Sequence, residues 1–282
     1  MDNRPIGVFD SGLGGLTAVR EILHIMPHED VVYFGDTGRV PYGTRSRETI
    51  LKYAAQDIAF LRSKNVKMII AACGTVSSVA SELGEALPVP FTGVVHPTAL
   101  AAYLATRNGK IGVIGTTATI RSGSYRRAIQ AINSETQVFE QDCPMFVPLV
   151  ENDFFDPANP VPHLVAERYL EPLKQAGVDT LIMGCTHYPI LRETIQKVMG
   201  PDVVLIDSGR ETATFAMELL RDKNALSDPK RTGSCEFYVS DSTEGFSKAA
   251  SLFLNRDIAE NVNYIDIVGF AEKQAQTTES EA

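Results

Sequence analysis

The chain has 282 residues, of which 44% are hydrophobic and 22% charged, with a formal net charge of −9. That size and balance suit one large or two modest globular domains, and the negative field excludes a basic footprint for nucleic acid and disfavours anionic membranes. No apolar run approaches the roughly 20 residues of a spanning helix, and the opening MDNRPIGVFD lacks the basic-then-apolar order of a secretory signal. The four cysteines are too sparse for a disulfide scaffold, so a reduced, cytoplasmic protein is expected.

Read in chain order, β-branched apolar runs alternate with helical patterns. A strand over 6–9 runs through DSGLGG into a helix carrying Leu16, Val19, Leu23 and Met26 on one stripe. A strand over 31–34 ends at Asp36-Thr37, and a helix over 46–63 lines up Leu51, Ala54, Ile58 and Leu61. Strands over 66–71 and 91–95 follow, the first ending in Cys73-Gly74-Thr75 and the second in His96-Pro97. Strands over 110–114, 180–183 and 203–206 complete the series, the first two ending at Thr116-Thr117 and Cys185-Thr186-His187. From Lys273 the sequence KQAQTTESEA is polar and aperiodic, and 271–282 is expected to be a disordered tail. The alternation is that of an α/β protein with mainly parallel sheets.

The chain also echoes itself. IGVFDSG at Ile6 resembles IGVIGTT at Ile111, and KMIIAACGT ending at Thr75 resembles DTLIMGCTH ending at His187, at nearly the same offset. A half used twice predicts two similar α/β lobes, related by a pseudo-twofold, with a thiol from each wall of the cleft between them. The crossings are expected near His96-Pro97 and Asp207–Gly209. They give an N-terminal lobe of 1–96 with 208–270 and a C-terminal lobe of 97–207.

Ligands of parallel sheets bind beyond the carboxyl ends of the strands, where this chain concentrates small hydroxyls, carboxylates and its two corner thiols. Two opposed thiols suit one chemistry in particular. Inverting an α-carbon needs a base on one face and an acid on the other, and a thiol at a helix start can serve as either. Cys73 precedes a helix bearing Val76, Val79 and Leu83, and Cys185 one opening at Pro189, with Asp10 and His187 as neighbours for the two sulfurs.

The motifs GVFDSGLGGLT, YFGDTGRVPYG, IGVIGTTATIRSGSY, PMFVPLVE and GCTHYP occur in this order. Together they resemble glutamate racemase of the two-cysteine, cofactor-independent type, over residues 6 to about 270. The resemblance implies that Cys73 works on the D-face and Cys185 on the L-face, that Asp10 assists Cys73, and that Glu151 and His187 support Cys185. It also implies substrate contacts at Asp10, Ser11, Pro41, Tyr42, Gly43, Thr75, Thr117, Thr186 and His187, a homodimer, and a role in supplying D-glutamate for peptidoglycan. One position departs from the family pattern Cys-Asn-Thr-Ala: here it reads Cys73-Gly74-Thr75-Val76, so Gly74 keeps only its backbone N–H for the substrate. A lost hydrogen bond to a charged group is worth about 1.5–3 kcal/mol, which bears on specificity and leaves the reaction type untouched. A racemase for aspartate or another small amino acid, and a non-catalytic dicarboxylate-binding protein, are the alternatives.

Plainer roles stand beside these. Asp10 reads equally as a helix cap, Asp36 as an ordinary turn residue, His96 as a hinge or surface residue, and Cys143 and Cys235 as packing. Without the family resemblance Glu151 is a solvated loop acid. DSGLGG lacks the third glycine of a dinucleotide loop, and no Gly-Lys-Ser/Thr follows it. Cys185 and His187 lack the paired spacing of a structural zinc site, and no lysine stands at these strand ends to carry pyridoxal. Neither metal nor cofactor is expected.

Overall fold

The short apolar runs become strands and the amphipathic runs become helices. Residues 1–79, 82–254 and 261–280 are described by the computed structural model. The first half comprises β1 (Ile6–Asp10), α1 (Leu16–Ile25), β2 (Val31–Gly35), α2 (Arg47–Ser63), β3 (Met68–Ala71), α3 (Gly74–Val79), α4 (Glu82–Glu85), β4 (Phe91–Gly93) and α5 (Val95–Ala105). There follow β5 (Lys110–Gly115), α6 (Thr117–Ser122), α7 (Ser124–Ile132), β6 (Gln137–Asp142), α8 (Phe146–Glu151), α9 (Pro160–Ala176), β7 (Thr180–Met183) and α10 (Arg192–Met199). The chain closes with β8 (Val204–Asp207), α11 (Ser208–Asp222), β9 (Cys235–Val239), α12 (Thr243–Leu254), β10 (Val262–Tyr264) and α13 (Ile267–Ser280).

Two sheets result, in the orders β10-β9-β2-β1-β3-β4 and β6-β5-β7-β8, and every pairing in both is parallel. The protein is thus α/β with two lobes. The run β2-β1-β3-β4 repeats as β6-β5-β7-β8, so β1 corresponds to β5 and β3 to β7. Each cysteine corner follows at the same point: Cys73 lies two residues past the end of β3, and Cys185 two past the end of β7. β1, β2, β3 and β7 are buried along their whole length, as strands covered by helices on both faces must be. Helix α1 sinks Leu16, Val19 and Ile22 into the main core, which it shares with Ala213, Ala216 and Leu220 of α11.

Several boundaries move for identifiable reasons. Ser46 is the N-cap of α2, its Oγ accepting from the Thr49 N–H, so the helix proper begins at Arg47. The strand expected from 66 begins at Met68; just before it the Lys67 N–H donates to the Pro5 carbonyl at 2.9 Å and its side chain enters a buried ion pair with Glu29 at 2.5 Å. The strand expected to reach 95 ends at Gly93. Beyond it the Val94 N–H donates to Ser77 Oγ at 3.0 Å, and α5 begins at Val95.

Of the stretch expected as a disordered tail, residues 271–280 continue α13. Ile267 is buried, and Phe270 sets its ring edge-on to Phe60 at 5.7 Å, anchoring the helix on α2. No glycine or proline after Gly269 stops it. Residues 281–282 lie outside the described residues. The predicted strands did not include β6, β9 or β10, whose polar residues break the apolar run.

Candidate active site

β1 delivers Asp10, 2% exposed, to the corner where Ser11 and Cys73 meet. Asp10 does not cap α1: its Oδ2 accepts from the Gly12 N–H at 2.9 Å, and the helix, with Gly15 at its N-cap, has no side-chain cap. The carboxylate therefore stays in the corner. Cys73 Sγ donates to Ser11 Oγ at 3.5 Å. A helix start would lower a thiol's pKa, yet burial, joined by the negative charge of Asp10, pushes Cys73 up to about 12 against the relief of its hydrogen bond with Ser11. It rests as a thiol, a proton donor.

The second corner is built differently. After Cys185 the chain turns through a 3-10 segment, Tyr188–Leu191, before α10, so the helix expected at Pro189 is delayed to Arg192. His187 Nδ1 lies 3.9 Å from Cys185 Sγ, and its Nε2 lies 3.1 Å from Glu151 Oε1 at the end of α8. Burial pulls His187 down, but hydrogen bonds to Cys185 and Glu151 and their negative charges outweigh it and raise the imidazole to about 10. An imidazolium donates from both nitrogens, and both have a partner here. Edge-on contact with Phe253 at 5.6 Å steadies the ring. Glu151 is half-exposed, yet it is engaged.

The two corners approach each other through their glycines. A Cβ on Gly74 would stand 2.5 Å from the carbonyl oxygen of Gly184, so the residues beside the two cysteines touch backbone to backbone. An asparagine at 74 cannot be seated without moving that carbonyl; the glycine and the close approach go together. A Cβ on Gly14 would likewise collide with Thr186 Oγ1 and His187 Nδ1. Hydroxyls stitch the lobes around these glycines. Thr17 Oγ1 donates to the Thr186 carbonyl at 3.0 Å, Thr75 Oγ1 lies 3.3 Å from Thr116 Oγ1, and Ser124 Oγ donates to Ser78 Oγ at 2.9 Å.

The remaining expected contacts are placed unevenly. Gly43 faces the other lobe, a Cβ there standing 3.6 Å from the Thr116 side chain. Pro41 is exposed. Tyr42 is buried, its hydroxyl donating to Asp36 and its carbonyl accepting from the Arg45 N–H at 3.0 Å. Thr117 Oγ1 donates to Asp142 Oδ2 at 2.8 Å. Cys143 is buried, with Tyr188 donating to its carbonyl at 3.0 Å, and Cys235 is buried in β9, as packing residues would be. His96 lies on the surface, edge-on to Phe215 at 5.7 Å.

Asp36 does sit at a turn, its carbonyl accepting from the Arg39 N–H at 3.2 Å, but its side chain is not left in solvent. It is fully buried with Asp57, Arg39 and Tyr42 in a cluster that the sequence reading missed. A signal was present: Asp57 stands on the apolar stripe of α2, between Ala54 and Leu61.

A model of the Asp/Glu/hydantoin racemase family matches residues 15–216. The chain belongs to this family. A glutamate racemase of Geobacter metallireducens is 45% identical over 258 residues, covering 91% of this chain and 95% of that protein. Among solved structures, a glutamate racemase isoform of Bacillus anthracis superposes with a TM-score of 0.90 at 37% identity, covering 94% of this chain and 98% of that one. A glutamate racemase of Francisella tularensis in complex with D-glutamate gives 0.87 at 38% identity, over 95% and 99%. Membership of the racemase family agrees with corners that carry acid and base groups.

Proposed function

We propose that this chain is a glutamate racemase, an isomerase that interconverts L- and D-glutamate by two-thiol proton transfer and supplies D-glutamate for peptidoglycan. The observation that carries the reading is the contact of Gly74 with Gly184, which brings the residues flanking Cys73 and Cys185 together from opposite lobes. In the L-to-D direction Cys185, as thiolate, takes the α-hydrogen as a proton. The electron pair of the broken C–H bond is held at the α-carbon and spread into the α-carboxylate. Cys73 then gives up its S–H proton to the opposite face and becomes the thiolate.

The D-to-L direction is the reverse. A cationic His187 stabilises negative charge on Cys185, and Asp10 and Ser11 attend Cys73. The α-carboxylate and side-chain carboxylate go to hydroxyls and backbone N–H groups of Ser11, Gly43, Gly74, Thr75, Thr117 and Thr186, donors that need no net positive field. The chemistry requires no metal and no cofactor.

The lobes divide as 1–96 with 208–270 against 97–207, which the membership of the two sheets supports. The protein works in the cytoplasm as a homodimer. Among the described residues no helix is long and apolar enough to cross a membrane. The test is proton exchange in heavy water: either enantiomer of glutamate gains deuterium at the α-carbon as it racemises. Absence of exchange with both refutes the reading, and a kcat/KM that favours aspartate moves the substrate.

A further inference from the structure

Around the Tyr42 hydroxyl lies a buried acidic cluster that the two-thiol reaction does not use. Asp36, just past β2, and Asp57, within α2, are both fully buried. Arg39 bridges them, Nε donating to Asp36 Oδ2 at 2.6 Å and Nη2 to Asp57 Oδ1 at 2.9 Å. Its guanidinium sits over the Tyr53 ring, 4.1 Å from the centroid. From the far side Ser240, just past β9, donates to Asp36 Oδ1 at 2.7 Å and accepts from the Gly38 N–H at 2.9 Å. The hydroxyl of Tyr42 donates to Asp36 Oδ2 and lies 3.3 Å from Asp57 Oδ2.

Counting protons decides the state of this cluster. A phenol has one proton, and Tyr42 gives it to Asp36. Its contact with Asp57 is then a hydrogen bond only when Asp57 brings a proton of its own. Charge leads to the same answer, because one guanidinium faces two buried carboxyls, and two so close do not both ionise. Burial and the charge of Asp36 push Asp57 well above the usual carboxylate range. Asp57 is a neutral acid that donates to Tyr42 and accepts from Arg39.

We propose that Asp57 is a positioning residue for the reaction: with Asp36 it holds Tyr42, and through Tyr42 the 41–43 backbone, at the mouth of the cleft. Gly43 faces Thr116 of the opposite lobe there, and Val40 packs 3.1 Å from where a Cβ on Gly12 would stand. The segment thus spans from the buried carboxyl pair to the Asp10-Ser11 corner. Asp57 touches no reacting atom; its effect passes through Tyr42. The inference rests on the reading of 41–43 as substrate-binding backbone.

Two variants separate positioning from bulk stability. Asp57→Asn keeps a donor and an acceptor where the neutral acid has them, whereas Asp57→Leu keeps the size and loses both. Amide hydrogen exchange of the peptide over 37–46 is expected to quicken about tenfold in Asp57→Leu and to stay near the unaltered rate in Asp57→Asn. KM for L-glutamate is expected to rise about tenfold in Asp57→Leu with kcat within about twofold, and Asn is expected to restore it. Unchanged exchange in Asp57→Leu, or equal acceleration in both variants, overturns the proposal. Should Asp57→Leu not fold, Tyr42→Phe removes the hydroxyl alone and is expected to quicken the same peptide; unchanged exchange there also overturns it. Failure of the unaltered protein to exchange the α-hydrogen of glutamate refutes the racemase reading, while amide exchange still decides this one.

Discussion

Burial acts on Cys73 and on His187 in the same way, by penalising the charged form, and the outcomes differ because of the neighbours. Cys73 has a carboxylate beside it, so desolvation and Asp10 act together and the sulfur keeps its proton. His187 has Cys185 and Glu151, so its cation is favoured despite desolvation. In the proposed two-thiol reaction each sulfur is needed once per turnover, and Cys73→Ala and Cys185→Ala are each expected to abolish racemisation, measured by circular dichroism of glutamate. Retained full activity in either would remove that sulfur from the reaction. His187 also links stability to pH. Its value is raised from 6.5 to about 10, so its stabilisation is complete below pH 6.5 and is lost as pH rises through 10. Thermal melts of His187→Gln against the unaltered protein are expected to differ most at low pH and to converge toward pH 10. A gap that widens with pH would contradict the imidazolium.

At the scale of elements, the segment leading into β3 shows how a strand start is held. Lys67 Nζ donates to the Asp2 carbonyl at 2.6 Å, the Ala225 carbonyl at 2.8 Å and Ser227 Oγ at 3.2 Å, while pairing with Glu29. Glu29 also accepts from the Ser227 N–H at 2.8 Å. The pair thus joins the N terminus, the segment before β3 and the loop before β9. Removing the cation strands a buried carboxylate, and Lys67→Met is expected to cost about 3–5 kcal/mol in denaturant unfolding. A loss within experimental error would show that the pair adds nothing net to stability. Periodicity could not show this pair, because Lys67 reads as a lone charge in an apolar run. Helix α2 was legible from its Ser46 cap and apolar stripe. Its Asp57 was not, because a carboxylate on such a stripe gains meaning only when Arg39 and Tyr42 arrive from another segment.

For the whole molecule, closure of the two lobes is limited by backbone. Gly74→Ala places a methyl against the Gly184 carbonyl and is expected to destabilise the protein by about 1–3 kcal/mol, with kcat falling for both enantiomers. Unaltered melting and turnover would show that the corners part freely.

The sequence by itself determined the strand–helix alternation, the repeated half and the two cysteines at equivalent corners. These depend on local periodicity and on spacing along one stretch of chain. The tertiary structure alone decided that Cys73 is held as a thiol, that Asp36 and Asp57 share a buried site, and that Gly74 lies against Gly184. Desolvation, charge pairing and backbone contact are set by groups distant in the chain, and they exist only once the lobes have folded and met.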